Sequence, residues 1–137
     1  MRSPTPREIP RGVPHPRGVT GESRRAQVVV IEDDEDCRVL LGELLEDAFD
    51  VTLAADAGAG LDALAQAQLD VVVTDESLPG LRGTELAREA KRRWPHLRAV
   101  LVSGYSKLPG TEACDIILHK PLEFGTLPRA IASLVTG

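Results

Sequence analysis

From Gln27 onward the chain alternates short apolar runs with longer segments whose apolar residues recur at helical spacing, the pattern of a parallel sheet covered on both faces. The runs VVVI (28–31), VTLA (51–54), VVVT (71–74), AVLV (99–102) and DIIL (115–118) predict five strands. Between the first two, Val39, Leu40, Leu41, Leu44, Leu45 and Ala48 predict a helix whose early acids suit the helix dipole. A second, near 57–66, carries Leu61 and Leu64 but also Gly58 and Gly60, each costing about 1 kcal/mol against alanine, so a short or frayed helix is expected. A third runs from about 84 to 94 and stops before Pro95. The last, near 122–135, sets Leu127, Ile131 and Leu134 on one stripe, with Pro128 tolerated close to the first turn. Only 16 residues separate Ser103 from Lys120, and they include Gly104, Pro109 and Gly110 and must also form the fifth strand. An extended loop or single turn between about 105 and 113 is expected there in place of a helix. The succession of units makes the fold α/β, a doubly wound five-stranded parallel sheet with its fourth helix shortened or missing.

Composition narrows the classes. Of the 137 residues 42% are hydrophobic and 27% charged, enough for one packed domain and too few residues for a second; aromatics at 3% leave an aliphatic core. No apolar run is long enough to span a bilayer and the N-terminus lacks a secretory signal, so a cytoplasmic location with no membrane contact is expected. Residues 1–25 hold five of the ten prolines and six arginines against two acids, with no periodicity. They are expected to form a disordered extension ahead of a folded domain at 26–137. With about +4 on the extension and −5 on the whole chain, the domain carries about −9, which argues against direct DNA binding. Cys37 and Cys114 have no metal-site spacing and are expected to be buried as small apolar side chains. His15, His96 and His119 form no motif with a Ser or Cys nucleophile, which disfavours triad hydrolysis.

In an open parallel sheet ligands bind beyond the carboxyl ends of the strands. Here the first run ends in Glu32-Asp33-Asp34, the third in Asp75, the fourth in Ser103 and the fifth in His119-Lys120. Carboxylates gathered at one rim repel unless a cation offsets them. All-oxygen ligation with room for water suits Mg²⁺, and Lys120 opposite it suits a phosphoryl group, with Asp75 between them as nucleophile.

The segments VVVIEDDEDCR, VVVTDESLPGLRG, VLVSG and HKP together resemble the receiver domain of bacterial response regulators over about residues 27–136. The resemblance implies a flavodoxin-like sheet in the order 2-1-3-4-5. It implies that Asp75 accepts a phosphoryl group from a sensor histidine kinase or a histidine phosphotransfer protein. Asp33 would ligate Mg²⁺ directly and Glu32 through water, joined by Asp75 and the carbonyl of Ser77. Ser103 and Lys120 would contact the phosphoryl oxygens, and the bond before Pro121 would be cis. Asp34 is left to cap the first helix. Gly104 is expected to keep the phosphoryl pocket open, and Tyr105 to limit hydrolytic water and lengthen the phosphorylated state. Output would pass through protein contacts with a downstream partner, from a free-standing receiver or part of a hybrid kinase. The protein would be a switch with its own phosphorylation and dephosphorylation activity rather than a metabolic enzyme.

Two departures from the family pattern stand out. Ile117 occupies a position often aromatic, and the missing helix removes a face that many members use to dimerise. Both fit an alternative, a phosphorylation-independent interaction module on the same fold. An aspartyl-phosphate phosphatase is disfavoured because Ser77 stands where its second acid would be, and no cap domain fits.

Overall fold

The structure, a computed structural model, describes residues 25–105, 107–123 and 125–135. Five strands, β1 (Gln27–Ile31), β2 (Asp50–Ala54), β3 (Val71–Asp75), β4 (Arg98–Ser103) and β5 (Ile116–His119), form one parallel sheet in the order β2-β1-β3-β4-β5. Four helices, α1 (Glu35–Leu45), α2 (Ala57–Gln66), α3 (Gly83–Arg93) and α4 (Thr126–Val135), cover it. Successive strand residues face opposite sides. Val29, Ile31, Val72 and Ala99 therefore pack with Leu64, Leu86 and Ala90 beneath α2 and α3. Val28, Val30, Val73, Val100 and Val102 pack with Leu45, Leu127 and Ile131 beneath α1 and α4. The expected class, strand order and aliphatic core are all present.

Some elements differ from expectation. Rather than short or frayed, α2 is a regular helix of ten residues. A Cβ on Gly60 would collide with Ile31, so the glycine that weakens the isolated helix lets it settle onto β1. Asp56 caps the same helix by accepting from the Ala59 N–H at 2.7 Å. Only part of the apolar stripe on α1 is buried, at Gly42 and Leu45, while Val39 and Leu40 face solvent and Ala48 lies past the helix end. The last helix begins at Thr126 rather than near 122, although Leu122 still packs against the core; Pro128 falls in the first turn, where its missing N–H has no partner to lose. Cys37 is exposed on α1, contrary to expectation, and Cys114 is half-buried, its thiol pushed up to about 11 chiefly by burial.

Between β4 and β5 the described residues contain no helix. The face of β5 that such a helix would cover therefore leaves Ile117 partly open to solvent. At the other end, Arg25 donates to the carbonyls of Glu46 and, at 2.9 Å, of Phe49, and lies 3.6 Å from Asp50. The rest of the expected extension, residues 1–24, lies outside the described residues. No helix among the described residues is long and apolar enough to cross a membrane.

Candidate functional site

The sheet ladder itself carries the rim residues to one edge. Asp75 pairs with Val102 and Ser103 with His119, and the ladder continues one step further, from Glu32 N–H to the Ala54 carbonyl at 3.0 Å and from Lys120 N–H to the Ser103 carbonyl at 2.8 Å. Glu32, Asp75, Ser103 and Lys120 thus stand at the carboxyl ends of β1, β3, β4 and β5. Asp75 belongs to β3 as its last residue, one position beyond the apolar run.

Asp75 is buried and held from two sides. Its Oδ1 lies 2.6 Å from the Lys120 ammonium, and its Oδ2 accepts the Ser77 N–H at 2.9 Å. Burial works against the charge on Lys120, but the bond to Asp75 and the charges of Asp75 and Glu32 outweigh it and raise the lysine above its usual range. Glu32, only 5% exposed, accepts the Asp34 N–H at 3.0 Å. Burial raises its carboxyl most; the nearby Asp75 charge and a hydrogen bond shared with Asp33 add to this, against the Asp34 N–H and Lys120. Asp33 itself is exposed, and Arg38 steadies the acidic turn by donating to the Glu32 carbonyl at 2.9 Å.

Asp34 caps α1 as expected, accepting the Cys37 N–H at 2.9 Å, and that hydrogen bond lowers its carboxyl. Ser103 is buried, and its hydroxyl accepts the Tyr105 N–H at 2.9 Å. The Tyr105 carbonyl in turn lies 3.1 Å from Nδ1 of His119. The Lys120–Pro121 bond is cis, as the resemblance implied. Gly104 opens to solvent, and a Cβ there would find no atom within 4 Å.

Two residues with a part in this geometry escaped the sequence reading. Glu76, 4% exposed, turns away from the rim and accepts the Thr84 N–H at 2.8 Å, with the Thr84 hydroxyl at 3.3 Å, so it caps α3 from the preceding loop. Gly83 is buried, and a Cβ on it would strike the Asp75 carbonyl. No local signal set Gly83 apart, since glycine is common at helix starts.

Among the described residues no three or more His, Cys, Asp or Glu side chains close around a ready metal cage. The donors that do converge are hard oxygens, with Glu32 close enough to Asp33 and Asp75 for each to raise its carboxyl. Such a set fits Mg²⁺, which takes few protein oxygens and keeps much of its water.

A family model described as the response regulator receiver domain matches residues 28–132. The chain is 35% identical over 117 residues to the transcriptional regulatory protein FixJ of Bradyrhizobium diazoefficiens, covering 81% of this chain and 57% of that one. It is 30% identical over 94 residues to the hydrogenase transcriptional regulatory protein HoxA of Cupriavidus necator, covering 69% and 18%. The chain thus spans little more than half of one relative and under a fifth of the other. The crystal structure of a response regulator receiver domain protein from Clostridium thermocellum superposes with a TM-score of 0.75 at 29% identity, over 80% of this chain and 94% of that one.

Proposed function

Since this chain belongs to the response regulator receiver domain family, we propose that it is a phosphoacceptor switch in which Asp75 takes a phosphoryl group from a phosphohistidine of a sensor histidine kinase or histidine phosphotransfer protein. The observation that carries this reading is the double grip on the buried Asp75 carboxylate, by Lys120 at 2.6 Å and the Ser77 N–H at 2.9 Å. A carboxylate oriented in this way offers an oxygen to an in-line phosphorus, forming an O–P bond as the P–N bond breaks and the electron pair leaves on the partner's imidazole. Asp33, Glu32 through water, Asp75 and the Ser77 carbonyl would hold Mg²⁺, which when bound neutralises charge on the transferring phosphoryl oxygens.

Lys120 then exchanges the carboxylate for a phosphoryl oxygen, keeping a cation beside the new negative charge. The Ser103 hydroxyl turns from the Tyr105 N–H to donate to another phosphoryl oxygen, which releases the start of the β4–β5 connection. The receiver unit occupies 26–137, acts in the cytoplasm, and signals through protein contacts without binding DNA itself. Slow hydrolysis of the aspartyl phosphate resets it.

Ile117, exposed and aliphatic where an aromatic would take part in the switch, favours a second reading as a phosphorylation-independent interaction module. Mg²⁺-dependent labelling by acetyl phosphate, followed by intact mass, separates the two. One added phosphoryl group in the wild type and none in Asp75→Ala is expected. No adduct, together with no binding of beryllofluoride, would overturn the switch in favour of the module.

A further inference from the structure

The helix-free connection between β4 and β5 shapes a groove. Two adjoining hollows, of about 410 and 270 Å³, share Tyr105, Lys107 and Leu108. The larger ends at Ile117 and His119 on the sheet edge, and the smaller ends at Ser77 and Arg82 beside the turn after Asp75. Their apolar surface comes from Leu108, from Ile117 and from Tyr105, which is 57% exposed. Tyrosine and arginine around an apolar floor form the composition favoured at protein interfaces.

The charge along this groove opposes that of the domain. Lys107 and Arg82 are exposed on its rim, and although Arg82 lies 3.8 Å from Glu85, its guanidinium stays open to solvent. The Arg88 guanidinium lies 2.9 Å from where a Cβ on Gly110 would sit, extending the basic side along α3. Among the described residues the one acid lining either hollow is Glu76, turned inward onto Thr84. Elsewhere the domain is strongly acidic, with Glu43 and Glu46 lining the hollow beside Val39 and Leu53 on the far side of the molecule.

We propose that this groove docks a short acidic segment of a protein partner, with apolar side chains seated on Tyr105, Leu108 and Ile117 and carboxylates meeting Lys107, Arg82 and Arg88. The acidic surface around it repels nucleic acid, and the open elongated shape suits an extended peptide better than a compact metabolite. The proposal rests on the switch function only in taking the partner to be the recipient of the signal.

The test is selection of random short peptides displayed on phage against the full chain and, in parallel, against Lys107→Glu/Ile117→Asp. Both positions are exposed, and circular dichroism checks that the variant folds. Acetyl phosphate labelling of Asp75 in the same samples keeps a failure of docking apart from a failure of the switch. Peptides rich in Asp and Glu with interspersed Leu or Phe are expected on the wild type alone. The synthetic consensus peptide should bind the variant at least about tenfold more weakly, and a version carrying Lys for its acids should recover affinity for Lys107→Glu. Enrichment of basic or neutral peptides, no enrichment, or equal binding to both chains would overturn the proposal. So would light scattering that shows a dimer which the same double substitution dissociates.

Discussion

Gly83 lies so close under β3 that a Cβ on it would collide with the Asp75 carbonyl and come within 2.8 Å of Leu101 Cδ1. Neither neighbour can move freely, since one is backbone in the sheet and the other is buried core. Gly83→Ala is therefore expected to lose roughly 1–3 kcal/mol in urea unfolding and to slow acetyl phosphate labelling by displacing Asp75. Gly104→Ala, which meets open space, should stay within about 0.5 kcal/mol of wild type and label normally.

Glu76 joins the turn after Asp75 to α3. Glu76→Ala leaves the Thr84 N–H without its carboxylate and should cost roughly 1–3 kcal/mol in thermal or urea unfolding. Glu76→Gln, whose amide oxygen can still accept from Thr84, should lose clearly less. Equal losses in the two variants would show that the cap hydrogen bond contributes little.

The strand-end chemistry was legible in the sequence because an apolar run in a buried parallel strand stops where the chain leaves the core. Asp75, Ser103 and Lys120 could be placed from that alone, and Asp34 from its position one residue ahead of a helix. What stayed hidden depends on how closely two elements approach. Nothing local marks Gly60 as the contact with Ile31 or Gly83 as the contact with Asp75. Nor does periodicity separate the buried Leu45 from the exposed Leu40, since both fall on one broad apolar stripe. Glu76 stayed hidden for the same kind of reason, because its partner Thr84 lies eight residues away and only the fold brings the two together.

Tyr105 follows the hydroxyl residue by two positions and its N–H is tied to Ser103 at 2.9 Å. Tyr105→Ala is expected to shorten the life of the aspartyl phosphate several-fold without lowering the yield of initial labelling. The check is the decay of the phosphorylated mass after acetyl phosphate is removed, and an unchanged decay would exclude the side chain as a barrier to water.

Asp115 clamps the start of β5 to α3 and β4. It accepts Lys91 Nζ at 2.8 Å and the Ala99 N–H at 2.7 Å, with Arg98 at 3.4 Å. Burial pushes its carboxyl up, but the bonds from Lys91 and Ala99 and the nearby charges outweigh this and leave it below its ordinary value of 3.8. A carboxyl lowered by folding adds stability above its unfolded value and loses it as pH falls through the lower folded one. Asp115→Asn should cost roughly 1–3 kcal/mol at neutral pH. Its deficit relative to wild type should shrink below about pH 4, as read from unfolding curves across an acid series.

The ladder that carries Asp75, Ser103 and Lys120 sets which parts of the chain can change length. Neighbouring strands stand about 4.8 Å apart whatever joins them, so residues can be added or removed between β4 and β5 while the three side chains keep their places. A single insertion inside β3 or β4 would instead turn every following side chain of that strand to the opposite face. Indels at this edge of the molecule thus reshape the groove beside β5 and leave Asp75, Ser103 and Lys120 in place.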